Sequence, residues 1–418
     1  MANLPTKASF LHFLLAFFLT LSGSGFIQEA QSLGINYGQV GNNLPKPQKV
    51  LELLRSLKLN KARIYDTNPQ ILTSFANSNV ELIVTVENDM LATLSDPNQA
   101  LQWVQTRIKP FFPTTKITEI AVGNEVYTGE GTALLTQLVP AMVSIHAALA
   151  RLGLDRSIKV STPNNLAVLE ESYPPSAGRF RPEVAAIMPQ FLRFLAATRA
   201  PFWINAYPYF AYEDSPDKIR IDYVLLNPNP GMVDPNTGLH YDNMLYAQVD
   251  AVIFAMARLG FGGIEVRVSE TGWPSRGDVN EVGATFQNAA VYNRNILRRQ
   301  QRNEGTPLRP NAGLEIYVFA LFNEDMKPGP TSERNYGLFQ PDGTMAYNVG
   351  LSQLSTTSSA SASASASTST STSTSSSTSA SIFLTSAATK VNQIGYLSLP
   401  YSIFFYVMGY EVFMRRHC

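Results

Sequence analysis

Short apolar runs rich in β-branched residues recur along the middle of the chain, each followed by a longer stretch with helical spacing. The runs are Gly34 to Tyr37, Ala62 to Tyr65, Leu82 to Val86, Ile120 to Gly123, Ile158 to Ser161, Phe202 to Asn205, Ile264 to Val268 and Ile316 to Phe319, eight in all. After the first, Val50, Leu51, Leu54 and Leu57 fall on one helical face. Two later stretches close alike, on Ala148 to Gly153 and on Ala255 to Gly260. In both, glycine stands where a helix C-cap calls for positive φ. Strand and helix alternating eight times predict an α/β protein, a (β/α)8 TIM barrel in one domain over residues 32–351. The alternative is an open doubly wound sheet. It calls for a glycine-rich phosphate loop after the first strand, and Asn36-Tyr37-Gly38-Gln39 is not one.

The two ends follow other patterns. Lys7, the apolar run Phe10 to Leu21 and the small residues Ser22 to Gly25 have the order of a secretory signal peptide over residues 1–31. A membrane anchor is the alternative, for which the apolar run is short. Residues 352–381 are nearly all Ser, Thr and Ala, a composition that cannot bury a core and reads as a linker or stalk. An apolar tail within residues 382–418 completes the pattern of a glycolipid (GPI) anchor signal. Its end, Arg415-Arg416-His417-Cys418, departs from that pattern and leaves a single membrane span as the rival. The expected location is the secretory pathway, then the outer face of the plasma membrane or the cell wall.

Composition narrows the chemistry. The chain has 32 Lys+Arg against 32 Asp+Glu, with no basic excess for nucleic acid, and none is expected as a partner. The one cysteine is Cys418, so a secreted form relies on a large core in place of disulfides. The histidines are His12, His146, His240 and His417, too dispersed for a zinc cluster or a Ser-His-Asp triad. No metal and no cofactor are expected, and the chain is expected to act as a monomer.

In a barrel the functional residues stand at the C-terminal ends of the strands. Here those ends carry Tyr37, Asn124 with Glu125, Asn205 with Tyr207, Glu270 with Trp273, and Phe322 with Glu324, with Lys327 just beyond. Carboxylates, amides and ring faces suit a sugar. Glu125 and Glu270 each follow an apolar run, where a charge is costly unless it is used. Two carboxyl groups flanking a glycosidic bond can hydrolyse it, one giving a proton and the other staying ionised. A separation of about 5–5.5 Å would make the reaction retaining, with Glu270 attacking and Glu125 as acid and then base. A lone glutamate at such a place is more often an ordinary loop residue, but two occur at matching places in the repeat. Tyr65, Trp203 and Phe319 are expected in the core. Tyr37, Tyr207, Trp273 and Phe322 are candidates to line a cleft, although such rings more often serve packing. Glu324 and Lys327 form either a plain surface ion pair or a polar pair beside the nucleophile and the sugar hydroxyls.

Gly34-Ile35-Asn36-Tyr37-Gly38, Val122-Gly123-Asn124-Glu125-Val126, Asn205-Ala206-Tyr207-Pro208, Val268 to Ser275, Ala320 to Glu324 and Glu333 to Phe339 together resemble the plant glucan endo-1,3-β-glucosidases of glycoside hydrolase family 17. The resemblance runs through nearly the whole globular block. It implies a (β/α)8 fold and retaining hydrolysis of internal β-1,3-glucosidic bonds, with callose as natural substrate. By it the acid/base falls on Glu125, the nucleophile on Glu270, and sugar contacts on Tyr37, Asn124, Asn205, Tyr207, Glu324 and Lys327. With Cys418 as its one cysteine, the chain resembles the glycolipid-anchored members that lack a cysteine-rich carbohydrate-binding module. Two other functions remain open: a transglycosylase using the same site, revealed by products longer than substrate, and a wall glucan-binding protein without turnover.

Overall fold

The computed structural model describes residues 33–129 and 132–350. The expected signal peptide, the Ser/Thr/Ala linker and the apolar tail lie outside the described residues. The main sheet is built from β1 (Gly34–Asn36), β2 (Lys61–Arg63), β3 (Glu81–Val86), β4 (Ile117–Val122), β5 (Lys159–Ser161), β6 (Pro163–Asn165), β7 (Phe202–Asn205), β8 (Val266–Thr271) and β9 (Ile316–Val318). Its order is β5-β4-β3-β2-β1-β9-β8-β7-β6, with every pairing parallel. The two outer members of that order are β5, which falls in the fifth expected run, and β6, which follows it after one residue and was not expected, so the sheet closes on itself. The chain is a TIM-type (β/α)8 barrel.

Proline explains the break in the fifth strand. Pro163 has no N–H to give to a ladder, and the strand changes partner there, from β4 to β7. The Asn164 amide spans the gap, donating to the carbonyls of Thr162 and Trp203 at 3.1 Å each. Between strands run helices with the expected signals. Pro47–Ser56 starts on proline and buries Val50, Leu51 and Leu54. Asn68, Asp96, Asn243 and Thr285 cap four others through their side-chain oxygens, each cap worth about 1 kcal/mol. Gly153 and Gly260 have φ of +71° and +85°, as the sequence led us to expect.

Alternation along the strands separates two environments. Outward residues such as Ile35, Ile64, Val84, Ile120, Ile204 and Val318 pack with the helices in one large core. Inward residues Ile83, Ala121, Trp203 and Tyr317 form a separate cluster inside the barrel. Gly34 makes room for it, because a Cβ there would lie 2.3 Å from the Tyr317 ring. Toward the N-terminal end, Arg267 pairs with Glu119 and Glu315, and Lys61 also reaches Glu315 at 2.8 Å. These groups seal one mouth of the barrel with mutually paired charge. The other mouth is left for the site.

One boundary differs from the sequence expectation in a way that matters. The seventh expected strand, Ile264 to Val268, is observed as Val266–Thr271, so Glu270 lies inside β8 and not beyond it. Ser269 is an extra residue against both neighbours: Val268 pairs with Ile204 and Glu270 with Asn205, while Val268 pairs with Ile316 and Thr271 with Val318. Such a bulge shifts the in–out parity of the strand. Arg267 and Glu270, three apart, therefore both turn toward the barrel interior.

Candidate active site

At the C-terminal mouth, β8 presents Glu270 and the turn after β4 presents Glu125. The bulge that re-aims Glu270 leaves a carbonyl out of register. The buried amide of Asn36 on β1 donates to that carbonyl, Ser269 O, at 3.0 Å, and reaches Val318 O at 3.2 Å. Glu270 is then held from three directions. Arg63 Nη1 donates to Oε1 at 2.7 Å, Tyr65 Oη lies 2.9 Å from the same oxygen, and Tyr207 Oη donates to Oε2 at 2.9 Å. Burial first, then the Glu270 charge, keep the hydroxyls of Tyr65 and Tyr207 protonated as donors. Arg63 is fully buried, an expensive place for a guanidinium unless it is paired. Its other arm, Nη2, donates to Asn124 Oδ1 at 2.7 Å and so ties the end of β8 to the turn after β4.

Glu125 stands differently. Its φ is +54°, in the left-handed region that a non-glycine residue occupies at a cost of about 1–3 kcal/mol. The conformation is fixed by Glu125 N–H donating to Pro163 O at 2.9 Å, and by Thr128 and Gly129 donating back to the Glu125 carbonyl at 3.1 Å each. Asn205 Nδ2 donates to Oε1 at 2.8 Å, and Ser269 Oγ, 2.7 Å from Asn205 Oδ1, sets which way that amide faces. Asn165 adds a further side-chain hydrogen bond. Burial, reinforced by the charge of Glu270, outweighs these amides and pushes the Glu125 carboxyl up to about 7. The site thus offers a proton on one carboxyl and an ion-paired carboxylate on the other. Among the described residues, no group of three or more His, Cys, Asp or Glu is arranged to hold a metal ion.

Comparison with known proteins bears on what such a mouth belongs to. The family described as glycosyl hydrolases family 17 matches residues 33–351. The chain belongs to this family. It is a glycoside hydrolase. Glucan endo-1,3-beta-glucosidase 14 of Arabidopsis thaliana is 50% identical over 82% of this chain and 87% of its own. Glucan endo-1,3-beta-glucosidase 10 of the same plant is 51% identical over 78% of each. Among solved structures, CJP38, a beta-1,3-glucanase and allergen of Cryptomeria japonica pollen, superposes with a TM-score of 0.74 at 42% identity, covering 77% of this chain and 99% of that one.

The structure of this family 17 hydrolase joins Glu270 and Asn124 through Arg63, sets Tyr207 on Glu270, and sets Asn205, held by Ser269, on Glu125. Other expected positions fall elsewhere. Tyr37 is buried, its hydroxyl pushed up to about 12 by that burial and by Asp66, with its ring edge-on to Phe322. Trp273 and Phe322, candidates for a cleft wall, are buried as well; Trp273 packs on Tyr209 and donates to Gly283 O at 2.8 Å. Tyr65, expected in the core, instead puts its hydroxyl on Glu270. Glu324 and Lys327 make no ion pair with each other. Glu324 is buried and accepts from Val40 N at 2.8 Å, in space left by Gly38, where a Cβ would lie 2.2 Å from the carboxylate. Lys327 lies 3.7 Å from Glu333 and places its ammonium 4.1 Å from the centre of the Phe319 ring. The sequence pattern assigns no role to Arg63 or Asn36. A signal for Arg63 exists there: it is a charge inside the apolar run Ala62 to Tyr65.

Proposed function

We propose that this glycoside hydrolase cleaves internal β-1,3-glucosidic bonds of β-1,3-glucans such as callose, retaining anomeric configuration through a glycosyl-enzyme intermediate. The observation that carries the reading is the contrast between its two carboxyls: Glu125 raised to about 7 beside a Glu270 ion-paired with Arg63. In the first step a Glu270 oxygen bonds to the anomeric carbon while the glycosidic bond breaks, and Glu125 gives its proton to the departing sugar oxygen. In the second, Glu125 takes a proton from water as the water oxygen displaces Glu270 from the same carbon. Asn124, Tyr207 and Lys327 are the groups we assign to sugar hydroxyls; Tyr37, Asn205 and Glu324, all buried, act from behind. Linkage preference is supported by the names of the relatives at about half identity. The composition of residues 1–31 and 352–418 supports action outside the cell, with a lipid anchor in the membrane.

The test is turnover of laminarin, mixed-linkage glucan and cellulose oligomers by the purified full chain. Short β-1,3-linked products from laminarin, with little release from cellulose oligomers, are expected. A folded protein that turns over none of the three would overturn the reading.

A further inference from the structure

We propose that Asn88, an exposed residue on the loop after β3, is a positioning residue for Glu125. The inference rests on the acid/base role just proposed for that carboxyl. β3 and β4 run paired as far as Val86 opposite Val122, with Gly123 N donating to Val86 O at 2.9 Å. The two chains then part. At that point the Asn88 carboxamide takes over from the backbone, accepting from Asn124 N at 2.8 Å and donating to Asn124 O at 3.0 Å. A primary amide matches the backbone donor and acceptor of one residue, so the ladder is extended by one side chain.

The grip falls where the backbone most needs one. Gly123 and Glu125, on either side of Asn124, have φ of +71° and +54°. A left-handed glutamate is strained and returns to an ordinary conformation unless its neighbours over-determine it. Asn88 holds the peptide groups on both sides of the Asn124 Cα, and Arg63 holds its side chain at 2.7 Å. The absence of a Cβ at Gly123 lets the carboxamide approach, since a Cβ there would lie 3.1 Å from Asn88 Oδ1. With Asn124 fixed, the Cα–Cβ bond of Glu125 is aimed at Asn205. Without it, the carboxyl swings out of the place where it delivers its proton. The carboxylate of Glu270 is held by Arg63, Tyr65 and Tyr207 and keeps those partners. The consequence is selective: Asn88 matters for leaving groups that need a proton and not for those that leave unaided.

The experiment uses the full chain with Asn88→Ala and Asn88→Asp, and Glu125→Ala as reference. The substrates are a laminari-oligosaccharide, whose leaving sugar needs a proton, and 2,4-dinitrophenyl β-laminaribioside, whose phenolate does not. For Asn88→Ala, kcat/KM is expected to fall about tenfold or more on the oligosaccharide, a share of what a general acid supplies. On the aryl glycoside it should fall less than about threefold, with the same selectivity, stronger, in Glu125→Ala. Asn88→Asp, which keeps the acceptor and loses the donor, should fall between wild type and Asn88→Ala. Equal losses on both substrates, or none, would overturn the proposal. If Asn88→Ala does not fold, Asn88→Asp decides by the same comparison. A wild type inactive on both substrates would overturn the acid/base reading along with this one, whereas an active wild type beside unselective Asn88 variants overturns the role of Asn88 alone.

Discussion

β8 keeps Glu270 inside the sheet with Arg63, Tyr65 and Tyr207 on its two oxygens, whereas β4 releases Glu125 onto a left-handed turn where only amides reach it. Both groups are glutamates at the mouth of one barrel, one within the end of its strand and one just past it. The difference between them lies wholly in what surrounds each carboxyl. A guanidinium and two hydroxyls hold the oxygens of one. Burial beside that carboxylate makes the other hold its proton. Backbone irregularity sets up both: a bulge turns Glu270 inward, and positive φ carries Glu125 across from its strand.

The comparison breaks most sharply on removal of the proposed nucleophile. Glu270→Ala should lower kcat on laminarin by more than about 10⁴-fold, the scale seen when a member of a coupled catalytic unit is deleted. Added azide should restore part of it and give an α-glycosyl azide; restoration by azide in a β-configured product would reverse the assignment. Glu125→Ala should cost about 10²–10⁴-fold on the same substrate, because the remaining carboxylate still attacks. Arg63→Met should leave Glu270 buried without its cation, lowering stability by about 3–5 kcal/mol in denaturant unfolding. A loss below about 1 kcal/mol would mean that the tyrosines alone hold the carboxylate.

Two pH effects sharpen the other side. Glu125 must be protonated to act as acid, so kcat/KM on laminarin should fall about tenfold per pH unit above about 7. The same raised value acts on stability. The folded state holds this proton more tightly than the unfolded chain, so the group's contribution to stability declines as pH rises from about 4.5 to about 7. Glu125→Gln removes that decline and should make the protein more stable than wild type above pH 7, by about 1 kcal/mol, with no gain below about pH 4. A pH-independent difference in thermal unfolding would contradict the burial of the carboxyl.

The barrel was legible in the sequence because parallel strands buried on both faces show as apolar runs, and helices between them as faces such as Val50, Leu51 and Leu54. Glu125 and Glu270 were legible as charges placed against such runs. The rings were less so. A tyrosine at a strand end packs or binds according to which way its strand happens to face, and composition does not report that. Tyr65 moved from core to site, and Trp273 and Phe322 from cleft to core, for this reason. The Ser269 bulge was invisible as well, since one extra residue reverses parity without changing residue type. Asn36, which supports the bulge, could only be understood once the bulge was seen.

The most direct test of the account follows the anomer released first. Proton NMR of a laminari-oligosaccharide digest, recorded within minutes and before mutarotation, should show the new reducing end as the β-anomer. An α-anomer appearing first would mean single displacement by water, with Glu270 as base, and would contradict the double displacement built on these two glutamates.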